Sequence, residues 1–386
     1  MGGVRHGGGM RADVGAHAFS FGSFLCGSDK EKNEADRYPL IVLPCYHHPM
    51  KRLSVGIIGL GYWGPNWLRN FSALEDCTLA YGCDLRKERT LKFARLYPAT
   101  KFTQRVQDLL NDRSLDAIVI ASPTSTHFDL AKRALKAGKH VLIEKPMTSS
   151  PAEAARLVAL AKKMRRKLLV DHTFAYTPSV RKMAELAGSG ALGGLLYFDS
   201  TRINLGLIQP DCNVFWDLAI HDLTILAAVA DLTKVTEVYA VGSRHFTKQI
   251  EDGHLHLTFQ GGLAAHIHVS WLSPVKIRQT ILAGRRAMVL YNDTQPSEKI
   301  RIYDRGVDRD HERPDPFFPK YRSGNILIPA MPLTEALATE AQHFLQCIRG
   351  EEKPLVSGED GLEVIKILTA ADESLKKNRP VKITAD

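Results

Sequence analysis

Gly59-Leu60-Gly61-Tyr62-Trp63-Gly64 stands between an apolar run, Leu53 to Ile58, and a helical segment opened by Pro65. A lone G-x-G-x-x-G is weak evidence, but between a strand and a helix, with an acidic residue about twenty positions on, it is a dinucleotide fingerprint. Asp84 supplies that acid at the end of a second apolar run, Leu79 to Cys83. Gly59 permits the tight turn, Gly61 lets the backbone approach a pyrophosphate, and Gly64 lets helix and strand pack closely. The helix N-terminus then attracts the phosphate charge. Asp84 favours NAD over NADP, because a carboxylate bonds the ribose hydroxyls and repels a 2′-phosphate; Arg86 nearby softens that preference.

Outward from this turn, short apolar runs alternate with helical segments. Strands are expected at 53–58, 78–83, 116–121, 140–143 and 168–171, and helices at 65–72, 86–97, 126–137 and 151–166. Such alternation implies right-handed crossovers and a doubly wound parallel sheet, with ligands at the carboxyl ends of its strands. Gly59, Asp84, Ser122 and Glu144 stand at those ends. After Thr177-Pro178 the texture changes. A helix at 179–187 leads to strand-rich sequence at 195–205, 235–245, 254–259, 263–272, 276–283 and 286–291, with hairpin signals at Gly261-Gly262 and Gly284-Arg285. One helix, 217–229, interrupts the strands. Residues 304–332, rich in Pro and charge, read as a long loop, and helices at 334–349 and 360–376 close the chain, with Gly350 as a C-cap. The fold class is therefore α/β: a Rossmann domain over 51–172, then an α+β domain with a mostly antiparallel sheet over 173–386.

The 386 residues suffice for two or three domains. A content of 44% hydrophobic and 24% charged residues is that of a globular protein, and no apolar run approaches a membrane span. The six cysteines (Cys26, Cys45, Cys77, Cys83, Cys212, Cys347) form no C-x-x-C pair, which fits a reducing cytoplasm rather than a disulfide framework or zinc site. The net charge of +9 reads as a solvated basic surface, compatible with steering an anionic small molecule; no basic-aromatic pattern points to nucleic acid. Residues 1–50 carry no periodicity, and Met50 precedes Lys51-Arg52 and the first strand. They are expected to be either a disordered extension or sequence upstream of a start at Met50.

Three further signals fall where this architecture wants chemistry: Glu144-Lys145-Pro146 after a strand, Ser122-Pro123-Thr124-Ser125-Thr126-His127 after another, and Asp217 with His221 four residues on. Residues i and i+4 share a helix face, so the last two can act together. His254/His256 and His266/His268 alternate along strands and share a face, but no acidic ligand motif accompanies them, so no metal is expected.

On these residues, and on Ala137-Gly138-Lys139-His140-Val141, the chain resembles the glucose–fructose oxidoreductase / inositol dehydrogenase / rhizopine catabolism (Gfo/Idh/MocA) family over about residues 51–380. The resemblance implies a tightly held nicotinamide cofactor, a C-terminal open sheet used for oligomerisation (a dimer or tetramer), and oxidation or reduction of a secondary alcohol on a sugar or cyclitol. It makes Lys145 and His221 catalytic, with Asp217 in support. The residues themselves agree. Neutral His221 is the better base, and Lys145 is a compact cation for the reacting oxygen and its developing charge. Asp217 either fixes the imidazole or binds a neighbouring hydroxyl; Glu144 either orients Lys145 or contacts the ribose.

The cofactor is expected to touch Gly59, Gly61, Tyr62, Trp63, Gly64, Asp84, Ser122, Thr124, His127, Glu144 and Lys145, and the substrate Tyr176, Arg202, Asn204, Asp217 and His221. The stretch 202–216 is rich in side chains that recognise hydroxyls, amides and phosphates. Within the family it looks most similar to members that oxidise the 3-hydroxyl of UDP-N-acetylglucosamine or its uronate before transamination, chemistry of lipopolysaccharide or lipid A assembly. A free-sugar or inositol dehydrogenase is the second enzymatic reading. A non-catalytic NAD or sugar sensor is the reading of another class, and the presence of both Lys145 and His221 counts against it.

Overall fold

A computed structural model describes residues 52–308 and 320–383. The expectations for residues 1–50, including Cys26 and Cys45, lie outside the described residues.

The first half is built on six parallel strands: β1 (Leu53–Ile58), β2 (Cys77–Cys83), β3 (Lys101–Thr103), β4 (Ala117–Ile120), β5 (His140–Glu144) and β6 (Leu168–Asp171), in the order β3-β2-β1-β4-β5-β6. The connections carry α1 (Gly64–Ala73), α2 (Lys87–Leu96), α3 (Val106–Asn111), α4 (His127–Lys136) and α5 (Pro151–Met164). Strands β4, β5 and β6 are buried apart from His140, as uninterrupted apolar runs covered on both faces must be. The strand order reverses between β1 and β4, which opens a crevice at their carboxyl ends. β3 and α3 escaped the sequence reading because three and six residues are too few to establish a period.

The second half holds a nine-stranded sheet: β7 (Leu195–Leu205), β8 (Val235–Ser243), β9 (Asp252–Phe259), β10 (Ala264–Ser270), β11 (Leu272–Gly284), β12 (Met288–Asn292), β13 (Ile300–Asp308), β14 (Lys320–Leu327) and β15 (Val381–Lys382). Its order is β14-β13-β12-β11-β7-β10-β9-β8-β15, and among the described residues only the β7–β10 pair of this sheet is parallel. Helices α6 (Pro178–Gly188) and α7 (Ile220–Val229) precede most of its strands, and α8 (Ala336–Arg349) and α9 (Gly358–Lys377) follow. The Gly261-Gly262 hairpin forms with both glycines at positive φ, and Gly350 caps α8 in the left-handed region.

Two expectations are corrected. Residues 304–332 are not one loop: β13 and β14 pair antiparallel, with Ile302 opposite Leu327 and Val307 opposite Tyr321, and 309–319 lie outside the described residues. The charged side chains that read as loop belong to an edge hairpin, where charge is tolerated and guards the edge. The helix expected at 217–229 is also not uniform. Phe215–Ala219 form a π turn, and only Ile220–Val229 are α-helical.

The C-terminal helices pack back on the parallel sheet. Leu337, Ala341, Phe344 and Leu345 of α8 share a core with Trp67, Leu68 and Phe71 of α1, and α9 adds Ile365 to the core on the sheet's other face. Phe344 is fully buried, with its ring edge-on to Phe71 at 6.5 Å. Removing a buried aromatic ring costs about 3–5 kcal/mol. Phe344→Ala is therefore expected to lower the unfolding free energy obtained by urea titration by that amount; a loss under about 1 kcal/mol would show that α8 is not part of this core.

Candidate active site

The glycine turn closes directly after β1. Gly59 has φ +95°, and a Cβ there would lie 2.4 Å from the Ala121 carbonyl oxygen, at the end of β4. A Cβ on Gly64 would lie 2.1 Å from the Gly59 oxygen. Both positions therefore require glycine for the fold itself. Gly61 differs: a Cβ would meet only the Arg89 guanidinium, at 3.6 Å. Nothing among the described residues forbids a side chain there, so the open cradle over Gly61 fits a group that approaches the backbone from outside.

Asp84 is drawn under the same turn. Its Oδ2 accepts from the Leu60 amide at 2.8 Å and from Arg89 Nη1 at 3.1 Å, and its Oδ1 accepts from the Arg86 amide at 2.9 Å. Burial pushes the carboxyl up, but these donors outweigh it and hold it below its ordinary range. A carboxylate has about four acceptor sites, so capacity remains for a ribose diol. Arg89, which the sequence reading passed over, is the cation that faces Asp84, and Arg86 contributes its amide.

Two turns complete the near wall. Ser122 Oγ and Thr126 Oγ1 lie 2.7 Å apart. His127 is buried and staples the turns together: Nδ1 lies 2.9 Å from the Pro146 oxygen and Nε2 2.8 Å from the Ser122 oxygen. Burial pushes its pKa down, so one ring nitrogen donates at a time. Its place is behind the wall rather than in the cleft. The Lys145-Pro146 peptide is cis. Glu144, at the end of β5, is buried at the floor of the cleft and accepts from Trp67 Nε1 at 3.1 Å, and Lys145 after it faces the cleft.

The far wall comes from the second half. Lys145 Nζ donates to the Asp217 carbonyl at 3.1 Å and lies 3.5 Å from Asp217 Oδ1; Asp217 Oδ2 accepts from Trp271 Nε1 at 3.0 Å. Asp217 sits in the π turn, and its carboxylate serves Lys145 and Trp271. His221 is half-buried, with its ring 5.1 Å from that of Phe174. Desolvation, then the nearby Lys145 charge, push its pKa well below the usual histidine value, so it stands neutral.

The resulting cleft, of about 460 Å³, is lined by Gly59, Gly61, Tyr62, Trp63, Asp84, Ser122, Thr124, Glu144, Lys145 and Asp217. Gln209, Asp211, Cys212 and Trp216 line it too, within the stretch singled out as a recognition segment. Of the five expected substrate contacts, Asp217 is part of this lining, and Tyr176, Arg202, Asn204 and His221 are not. Tyr176 is 3% exposed, with its hydroxyl 3.0 Å from His343 Nδ1. Arg202 is 2% exposed; its Nε donates to Asp222 at 2.7 Å and its guanidinium stacks on Phe174 at 4.5 Å. It thus backs the ring that meets His221. Asn204 is half-buried beside Gly206, which bonds the Trp271 carbonyl.

The histidines of β9 and β10 pair across the strands. His254 and His268 stack at 4.2 Å, and His256 and His266 approach through their Nδ1 atoms at 2.6 Å. Among the described residues no group of three or more His, Cys, Asp or Glu has the geometry to hold a metal ion. No helix among them is long and apolar enough to cross a membrane.

Residues 53–172 match the oxidoreductase family's NAD-binding Rossmann fold, and residues 208–383 match the same family's C-terminal alpha/beta domain. The chain belongs to the Gfo/Idh/MocA oxidoreductase family. Its first half is that family's NAD-binding fold, and the cradle over Gly61 and the Asp84 carboxylate fit that dinucleotide. A UDP-N-acetylglucosamine 3-dehydrogenase from Acidithiobacillus ferrooxidans is 28% identical over 324 residues, covering 82% of this chain and 95% of that protein. A myo-inositol 2-dehydrogenase from Thermotoga maritima is 25% identical over 342 residues, covering 86% and 98%. The solved structure of a UDP-N-acetylglucosamine 3-dehydrogenase from A. ferrooxidans superposes with a TM-score of 0.71 at 24% identity, covering 84% of this chain and 98% of that one.

The glycines give a direct test of the family's cofactor site. Gly61→Ala is expected to keep the wild-type melting temperature while weakening NAD binding at least tenfold by calorimetry, whereas Gly59→Ala is expected to lose the fold. Unchanged NAD affinity in Gly61→Ala would contradict the cradle.

Proposed function

We propose that this oxidoreductase oxidises a secondary hydroxyl, at C3 of UDP-N-acetylglucosamine or a related UDP-N-acetylhexosamine, with NAD, giving a 3-keto sugar fit for later transamination. The observation that carries the reading is the Lys145 ammonium, aimed across the cleft at Asp217 and within electrostatic reach of a neutral, half-buried His221. Bound NAD supplies the hydride acceptor. Lys145 holds the reacting oxygen and stabilises the negative charge that develops on it, which is worth most in a partly dehydrated cleft. His221 accepts the hydroxyl proton; its low proton affinity keeps it free to do so at neutral pH. Asp217, fixed by Trp271, sets the position of the ammonium.

The choice of a nucleotide sugar rests on the polar segment 209–217 along the cleft, on the basic net charge, and on the relative that acts on this sugar nucleotide. A myo-inositol dehydrogenase of comparable similarity supports a second reading, oxidation of a free cyclitol or sugar. The half-exposed side chains of Tyr239, His256, His266 and Thr201 on the second sheet support self-association through that face.

Lys145→Met and His221→Asn are each expected to lower kcat at least a hundredfold with NAD affinity within threefold; near-normal turnover by either folded variant would remove that residue from the chemistry. Because the His221 pKa is depressed, the acid limb of kcat/KM is expected below about pH 6.5, the ordinary histidine value. A midpoint above that value would assign the limb to another group. Screening by NADH absorbance is expected to show turnover of UDP-N-acetylglucosamine well above that of myo-inositol or glucose; the reverse order would favour the second reading.

A further inference from the structure

Directly behind Lys145 three acids from three elements meet in the interior. Glu144 ends β5, Asp171 ends β6 in register opposite it, and Glu340 comes from α8. They are 6%, 3% and 0% exposed. Asp171 is the register partner of Glu144, and its charge bears on both glutamates.

The donors around them are too few for three negative charges. Glu144 receives the Trp67 indole N–H, and Asp171 Oδ1 receives the Thr173 hydroxyl at 2.7 Å. Neither oxygen of Glu340 accepts a well-formed hydrogen bond; the His172 amide leans on it weakly. Among the described residues, the charged or titratable groups that act on the cluster are Lys145, which directly follows β5, and Tyr176, whose hydroxyl is engaged with His343. Lys145 does not turn back to the cluster, since its ammonium is held by Asp217 across the cleft. An ionised carboxylate buried without donors or a paired cation costs several kcal/mol, and such groups take up protons instead. Two carboxyls can hydrogen-bond only when one of them carries a proton. Burial, followed by the Asp171 charge, accordingly raises the pKa of both Glu144 and Glu340 well above the ordinary range.

We propose that Glu144, Asp171 and Glu340 form one proton-sharing acid cluster that keeps a proton at neutral pH and thereby sets the charge behind Lys145. Glu340 is then a positioning residue, acting on the reaction through Glu144 and touching neither substrate nor cofactor. At neutral pH the retained proton limits the negative charge at the root of the lysine, so the ammonium is left to Asp217 and the reacting oxygen. When alkali removes the proton, the new charge pulls on Lys145 and alters turnover. The kinetic part of this inference rests on the role proposed for Lys145; the protonation part does not.

The test uses the full-length protein and its isosteric variant Glu340→Gln, with Glu340→Met as a second variant should the first fail to fold. Infrared difference spectra at pH 7.5 report a protonated carboxyl by its carbonyl stretch without any need for turnover. The wild type is expected to show that band and the variant to lose intensity from it. In kcat/KM against pH, the wild type is expected to show an alkaline inflection that the variant lacks, while rates at pH 7 agree within threefold. Absence of the acid band in the wild type, or an unchanged band in the variant, overturns the cluster. A band lost in the variant with superimposable pH profiles overturns its role behind Lys145. If Lys145→Met proves fully active, the band still decides the cluster by itself.

Discussion

The contact between the Lys145 ammonium and Asp217 joins the two halves of the site, and the rest of the arrangement depends on it. One partner directly follows a strand of the parallel sheet, and the other sits in a π turn of the second half. As a source of stability the pair is minor. The two side chains are 17% and 25% exposed, and partly solvated pairs contribute about 0–1 kcal/mol once desolvation and side-chain ordering are counted. Its importance is geometric. It holds a cation over the cleft near a neutral imidazole, an arrangement suited to taking a proton from a hydroxyl and bearing the charge left behind.

Around that contact the site is stiffened from behind. His127 is wedged between the Ser122 and Pro146 turns, its single ring N–H donating to one of the two carbonyls, and Trp67 of the first helix holds Glu144. Trp271 fixes Asp217 from the second sheet, while the Arg202–Asp222 pair and Phe174 back His221. Buried pairs such as Arg202–Asp222 add little net stability, because the gain in attraction is offset by desolvation. Breaking one partner alone is costly, so the pair fixes a geometry.

The parallel half was legible because its strands are continuous apolar runs and its turns need residue types that only glycine supplies, as at Gly59 with φ +95°. Lys145, Ser122 and Asp84 were legible because the strand ends of a parallel sheet converge whatever the details of packing, and Asp217 from its spacing to His221. Arg202 and Tyr176 were not. Both lie in segments that look polar and exposed, and only the sheet register and the placement of α8 bury them. The π turn was invisible because Phe215–Ala219 are too few residues for a changed period to show. The pairing of β13 with β14 was hidden by a charged edge, whose composition matches that of a loop. The acid cluster unites residues nearly two hundred positions apart, beyond the reach of any local pattern.

The central claim is that this cleft moves a hydride from a sugar carbinol to NAD with Lys145 holding the oxygen. It is tested most directly by isotope transfer. UDP-N-acetylglucosamine deuterated at C3 would be incubated with NAD and enzyme, and the reduced cofactor examined by mass spectrometry. The account predicts that the wild type places the deuterium on the cofactor and that Lys145→Met, folded and still binding NAD, does not. Reduced cofactor without label, or equal transfer by the lysine variant, would contradict it.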